Sequence, residues 1–112
     1  GGAMAAPAYV RLMQRRQDFI AALGQRMAGL DGLLWPTVPF TAPTIDSLGE
    51  DAAYHAANML ALRNSTVVNL MDGCAISIPC PVQGAPVGLT LAAPAHRDDA
   101  LLGVASVLQS LL

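Results

Sequence analysis

The sequence predicts an α/β fold of about three strands and three helices, on three observations. Apolar residues recur at helical spacing in three stretches, near 8–28, 52–64 and 98–111. Three short runs of Leu, Ile, Val and Ala, at 33–35, 75–78 and 87–92, are bounded by proline or glycine, as buried strands are. Hydrophobic residues make up 54% of the 112 and charged residues 12%. The charged share is about half the usual value, a balance that excludes intrinsic disorder.

The first helix is expected over residues 8–28. Tyr9, Met13, Phe19, Ile20, Leu23, Met27 and Leu30 form its apolar stripe, with Arg15, Arg16, Gln17 and Asp18 between them. Gly29 and Asp31-Gly32 end it. Leu33-Leu34-Trp35 reads as a buried strand stopped by Pro36, and Pro36, Pro39 and Pro43 keep the next stretch extended. Ser47-Leu48-Gly49-Glu50 has the S-x-x-E form of a capping box, which would open a second helix running from Ala52 to about Asn64. Its apolar face would carry Tyr54, Ala57, Ala61 and Leu62.

Ala75-Ile76-Ser77-Ile78 is the second expected strand, ended by Pro79, and Val87 to Ala92 the third. Gly84, with Pro81 and Pro86, marks the loop between them. Asp98 is placed to cap a last helix with Leu101, Ala105, Leu108 and Leu112 on its apolar face. About three strands is fewer than a typical sheet holds, and many helical positions are apolar all round. Helices of that kind expect cover on every side, so the chain reads as a single segment of a larger sheet. Residues 1–7 are expected to be a loop end or an expression scar, without the basic and apolar regions of a signal peptide.

Composition narrows the partners. The net charge of −2 leaves no basic patch for a nucleic acid. No apolar run approaches the roughly 20 residues that a membrane span needs. If 75–79 is a strand, Cys74 and Cys80 lie about 20 Å apart, beyond the roughly 7 Å a disulfide allows. Reduced thiols and a cytoplasmic location are therefore expected.

Catalytic templates fail one by one. All six cations are arginine, so no mechanism that needs a lysine can run within these residues. There is no G-x-S-x-G elbow. Ser77, between two isoleucines, is expected to be a buried serine bonded to backbone. His55 and His96 stand 41 residues apart, without metal-ligand spacing. Neither cysteine opens a helix or neighbours a cation, so both read as inert thiols. No catalytic residue, metal or cofactor is expected.

Several segments taken together say more. Asp31-Gly32-Leu33-Leu34-Trp35-Pro36-Thr37-Val38-Pro39, Ala75-Ile76-Ser77-Ile78-Pro79, Gly84-Ala85-Pro86-Val87-Gly88-Leu89 and Asp98-Asp99-Ala100-Leu101-Leu102 follow one another in order. They resemble the C-terminal part of the amidase signature family, with its D-x-L-L-x-P-T-x-P, x-A-I-S-I-P, G-L-P-V-G-L and D-x-x-L-L patterns. The resemblance spans about residues 8–110. It implies a fragment of a larger mixed-sheet fold, in an enzyme that hydrolyses or transfers carboxamides. The family's Ser–cis-Ser–Lys triad lies upstream of this region and acts through an acyl-enzyme. The resemblance therefore implies a small amide substrate, and an isolated chain that is inactive.

Departures from the family pattern point to a subclass. Many members have N-L-A-G-x-P-A where this chain has Asn69-Leu70-Met71-Asp72-Gly73-Cys74-Ala75, so Asp72 replaces a glycine and Cys74 a proline. Three residues before Thr66, glutaminase subunits of tRNA-dependent amidotransferases carry an acid for the substrate's amino group. Here that position is Arg63. A cation would repel an α-ammonium and suit an anionic or carbonyl-bearing substrate, which favours a general or allophanate-hydrolase-like amidase. Arg63 reads alternatively as a salt-bridged residue at a helix end, beside the C-terminal dipole. Asn69 is expected in the turn leading to strand 75–78, its amide bonded to backbone. Asn69, Pro79 and Asp98 are the expected structural residues. Exposed apolar faces predict self-association or association with the upstream part of the enzyme. The alternative function is a stand-alone α/β binding or oligomerisation module.

Overall fold

The computed structural model of the chain describes residues 2–112, so Gly1 lies outside the described residues. Helix α1 spans Ala6–Arg26, strand β1 Leu33–Pro36 and helix α2 Asp51–Leu70. Strands β2, Cys74–Cys80, and β3, Val87–Ala93, follow, and helix α3 spans Asp98–Leu111. Ala6 and Pro7 belong to α1, not to a leading loop; a proline suits the first helical turn, whose N–H groups have no intrahelical partner.

The sheet is antiparallel, with β3 between β1 and β2. Residues directly opposite share a face, which sorts the side chains. Ile76, Leu91 and Ile78 lie on one face and pack with Ala93 against Leu101 and Ala105 of α3. On the other face, Ala92 meets Met27 and Met71, the residues that end α1 and α2, with Leu23, Leu33, Trp35 and Val68 around them. The core is thus two small clusters, one on each face.

Local chemistry corrects four expectations. Ser47 does not cap α2; it sits in a 3-10 turn, Asp46–Leu48, where its hydroxyl donates to the Thr44 carbonyl at 2.7 Å. Gly49 separates that turn from the helix, whose N-cap Glu50 makes no side-chain capping bond. Pro36 and Pro79 do not stop their strands but lie within them, paired with Leu89 and Gly88. Both strands are edges, where a proline's missing N–H is tolerated. Asp98 is the first residue of α3, not its cap; Arg97 holds the cap position. Asp98 and Asp99 instead place negative charge at the positive end of the helix dipole.

Helix α2 runs past residue 64 to Leu70, and within it Ser65 and Thr66 turn their hydroxyls back on the Leu62 carbonyl, at 3.2 and 2.7 Å. It ends in a Schellman motif: Gly73 N–H donates to the Val68 carbonyl and Asp72 N–H to that of Asn69. Asp72 takes the left-handed position, at φ 56°.

The molecule is a thin plate, 51 × 45 × 18 Å, with a radius of gyration of 17.2 Å. A compact domain of this length has about 13 Å. Its accessible surface is 8103 Å², against about 5,800 Å² for a folded monomer of this mass. Neither α1 nor α2 contains a buried residue, and Tyr9, Met13, Phe19, Tyr54 and Met59 are exposed. The face of α1 that meets the rest is Arg16, Ile20 and Leu23, leading to buried Met27. The apolar stripe expected of α1 is therefore largely bare.

Candidate functional site

The polar groups of the sheet gather on the face that carries Ala92. Ser77 of β2 and Trp35 of β1 stand opposite Thr90 of β3, and Thr37 follows the end of β1. Thr37 continues the pairing, its N–H donating to the Gly88 carbonyl at 2.8 Å. Its hydroxyl lies 2.5 Å from that of Ser77 and accepts from buried Thr90 at 2.9 Å. Ser77 is exposed and bonded to a side chain, which corrects the expectation of a buried serine bonded to backbone. The ends of α1 and α2 cover the Ala92 end of this face and stop short of Ser77.

Gly88 makes the cluster possible. A Cβ there would stand 2.6 Å from Ser77 Oγ and 2.7 Å from Thr37 Oγ1. Beside the hydroxyls is a cleft of about 320 Å³ lined by Trp35, Thr37, Val68, Asn69, Ser77 and Thr90, among others.

Helix α2 fastens to this region through Asn64. On the row of α2 that faces inward, its amide donates to the Pro36 carbonyl at 2.7 Å, one residue before Thr37. Arg63 Nε donates to the Asn64 Oδ1 at 3.1 Å. Arg63 is therefore tethered beside the end of β1, with its side chain exposed. It is not a helix-end residue, since α2 continues for two turns beyond it. Among the described residues the one ion pair is Arg16–Asp72, so Arg63 has no acidic partner.

The other expected residues lie apart from the hydroxyls or act differently. Asn69 is in the last turn of α2, not in a turn after it, and is exposed. Its main-chain oxygen, and not its amide, takes up a partner: Arg16 Nη2 at 3.0 Å. Pro79 is on the edge strand and Asp98 is at the start of α3, on the opposite face. Both cysteines are free, and Cys74 directs its Sγ towards the Pro94 carbonyl at 3.5 Å. Among the described residues no three His, Cys, Asp or Glu side chains are grouped to hold a metal, and no helix is long and apolar enough to cross a membrane.

Thr37, Thr90 and Asn64 do not stand out in the sequence. A signal is present in the alternation of β3, where Gly88, Thr90 and Ala92 fall on one face. A threonine on a face otherwise made of Gly and Ala marks a polar row, but which residue completes it depends on partner strands distant in the sequence.

Comparison with known proteins bears on the whole chain. The Amidase family pattern matches residues 2–102. The chain is 36% identical over 106 residues to 2-amino-5-chloromuconic acid deaminase of Comamonas testosteroni, covering 93% of this chain and 23% of that protein. It is 34% identical over 98 residues to a subunit of the glutamyl-tRNA(Gln) amidotransferase of Salinispora tropica, covering 86% and 18%. With the same subunit of Streptococcus pneumoniae (strain ATCC 700669 / Spain 23F-1) it shares 35% over 104 residues, covering 91% and 20%. No solved structure matches the chain significantly. The chain spans about a fifth of the length of these curated relatives. With segments in the family's order and a family match over nearly all its length, the chain belongs to the amidase family.

Proposed function

We propose that this chain is the C-terminal part of an amidase that hydrolyses a carboxamide C–N bond, and that it supplies sheet strands and one wall of the substrate pocket. The single observation that carries this reading is the family match over residues 2–102 in a chain with no lysine of its own. The nucleophile and its base then come from elsewhere in the protein, which fits a segment a fifth the length of its relatives. The large bare surface supports the same reading, since strands and helices of the remaining domain would cover it.

Arg63 is the residue assigned to substrate. It is exposed, has no acidic partner among the described residues, and is tethered through Asn64 to the end of β1. A guanidinium so held is suited to a carboxylate, which it grips through paired N–H donors. The relative named as a deaminase of an acid fits an anionic substrate. The test is steady-state kinetics of the protein expressed at the full length of its reading frame, on an amide bearing a carboxylate and on a neutral amide. Arg63→Ala should raise KM for the anionic amide at least tenfold and leave the neutral one alone. An equal change on both would remove Arg63 from the pocket.

A further inference from the structure

We propose that the hydroxyl cluster Thr90–Thr37–Ser77 is a specificity subsite that holds a carbonyl oxygen of the substrate, one other than that of the scissile amide. This rests on the amidase reading above. Three hydroxyls carry three O–H donors. Thr90 spends its donor on Thr37, and one more is spent between Thr37 and Ser77, whichever of the two donates. One O–H donor is therefore left over, on Ser77 or Thr37, and no acceptor among the described residues takes it.

The surroundings aim that donor. Gly88 closes one side of the pair, with no room for even a methyl group between the hydroxyls and the strand. The open side is the cleft, lined by Trp35, Val68 and Asn69, whose side-chain amide has no hydrogen-bond partner among the described residues. No acidic side chain lines the cleft, so nothing there would hold a cation. An unspent O–H in a cleft that Asn69 also lines, against an apolar wall, suits an uncharged acceptor oxygen. Ser77 would touch it. Thr90, buried behind Thr37, is a positioning residue: its bond holds the Thr37 hydroxyl that pairs with Ser77.

The experiment uses the protein at the full length of its reading frame with two neutral amides of equal length, acetoacetamide and butyramide. They differ by one carbonyl oxygen, and neither has a charge for Arg63. The expected result is a lower KM for acetoacetamide in the unsubstituted enzyme. Ser77→Ala should raise that KM at least tenfold more than it raises the KM for butyramide. Thr90→Val should raise it severalfold, and Ser77→Thr should keep the preference. Ser77→Cys keeps a side chain at that position with only a weak donor and should show the same selective rise if the alanine variant does not fold. No preference for acetoacetamide, or equal effects of Ser77→Ala on both amides, overturns the subsite and leaves the amidase reading standing. No hydrolysis of any amide by the unsubstituted enzyme overturns both.

Discussion

Arg16 of α1 and Asp72, just past the end of α2, tie the two helices together. Arg16 Nη2 stands 3.2 Å from the Asp72 carboxylate and 3.0 Å from the Asn69 main-chain oxygen. One guanidinium thus meets both a charge and a carbonyl at the C-terminal end of α2. The Asp72 side chain is 69% exposed, so the ion pair contributes at most about 1 kcal/mol.

The backbone at Asp72 matters as much as its charge. At φ 56° it occupies a position suited to glycine, and aspartate tolerates it better than most. Asp72→Gly should therefore stay within about 0.5 kcal/mol of the original protein, the relief of strain offsetting the lost pair. Asp72→Val should cost about 2 kcal/mol or more, losing the pair and straining a β-branched residue. Urea denaturation of the full-length protein measures both. Equal losses for Gly and Val would mean that the ion pair, not the backbone, holds this turn.

Gly73 and Gly24 make an opposed pair. A Cβ at Gly73 would meet the Ala93 carbonyl oxygen at 2.5 Å, a main-chain atom of the central strand that cannot step aside. Gly73→Ala should cost about 1–3 kcal/mol by overpacking. Gly24 lies inside α1 with open space around it, so Gly24→Ala should stabilise by up to about 1 kcal/mol through helix propensity. Thermal melts of both variants check this. A stabilising Gly73→Ala would show that β3 is not where the structure places it.

Order, type and approximate bounds of the helices and strands are legible in the sequence, from periodicity and from glycine and proline. The end of α2 is not, because Ser65, Thr66, Val67 and Val68 are individually poor helix formers. The helix persists because its inward row continues through Val68 to buried Met71. Ser77 reads as buried because its neighbours are isoleucines, yet Ile76 and Ile78 point to the face packed on α3 while it points to the other, where it is exposed. Pro36 and Pro79 read as stops because a sequence does not say which strands are edges. Resemblance singles out Arg63, whereas its tether, Asn64 to the Pro36 carbonyl, joins elements 28 positions apart and is visible only in three dimensions.

The bare surface carries a prediction about the chain by itself. It exposes roughly 2,300 Å² more than a folded monomer of its mass, comparable with the area of a large stable interface. Cut free, the 112-residue chain should self-associate through α1 or the strand edges at micromolar concentration, as read by sedimentation velocity. A monodisperse 11.6 kDa species that unfolds cooperatively would show that the plate covers its own core, and would favour a stand-alone module.

The most direct test of the amidase assignment is ammonia release from a small carboxamide, measured side by side for the 112-residue chain and for the protein expressed at the full length of its reading frame. Turnover is predicted for the full-length protein and none above background for the chain, which has no lysine and no Gly/Ser-rich nucleophile segment. Turnover by the homogeneous chain, surviving a change of tag and a mock purification, or no turnover by the full-length protein on any amide tried, would contradict it.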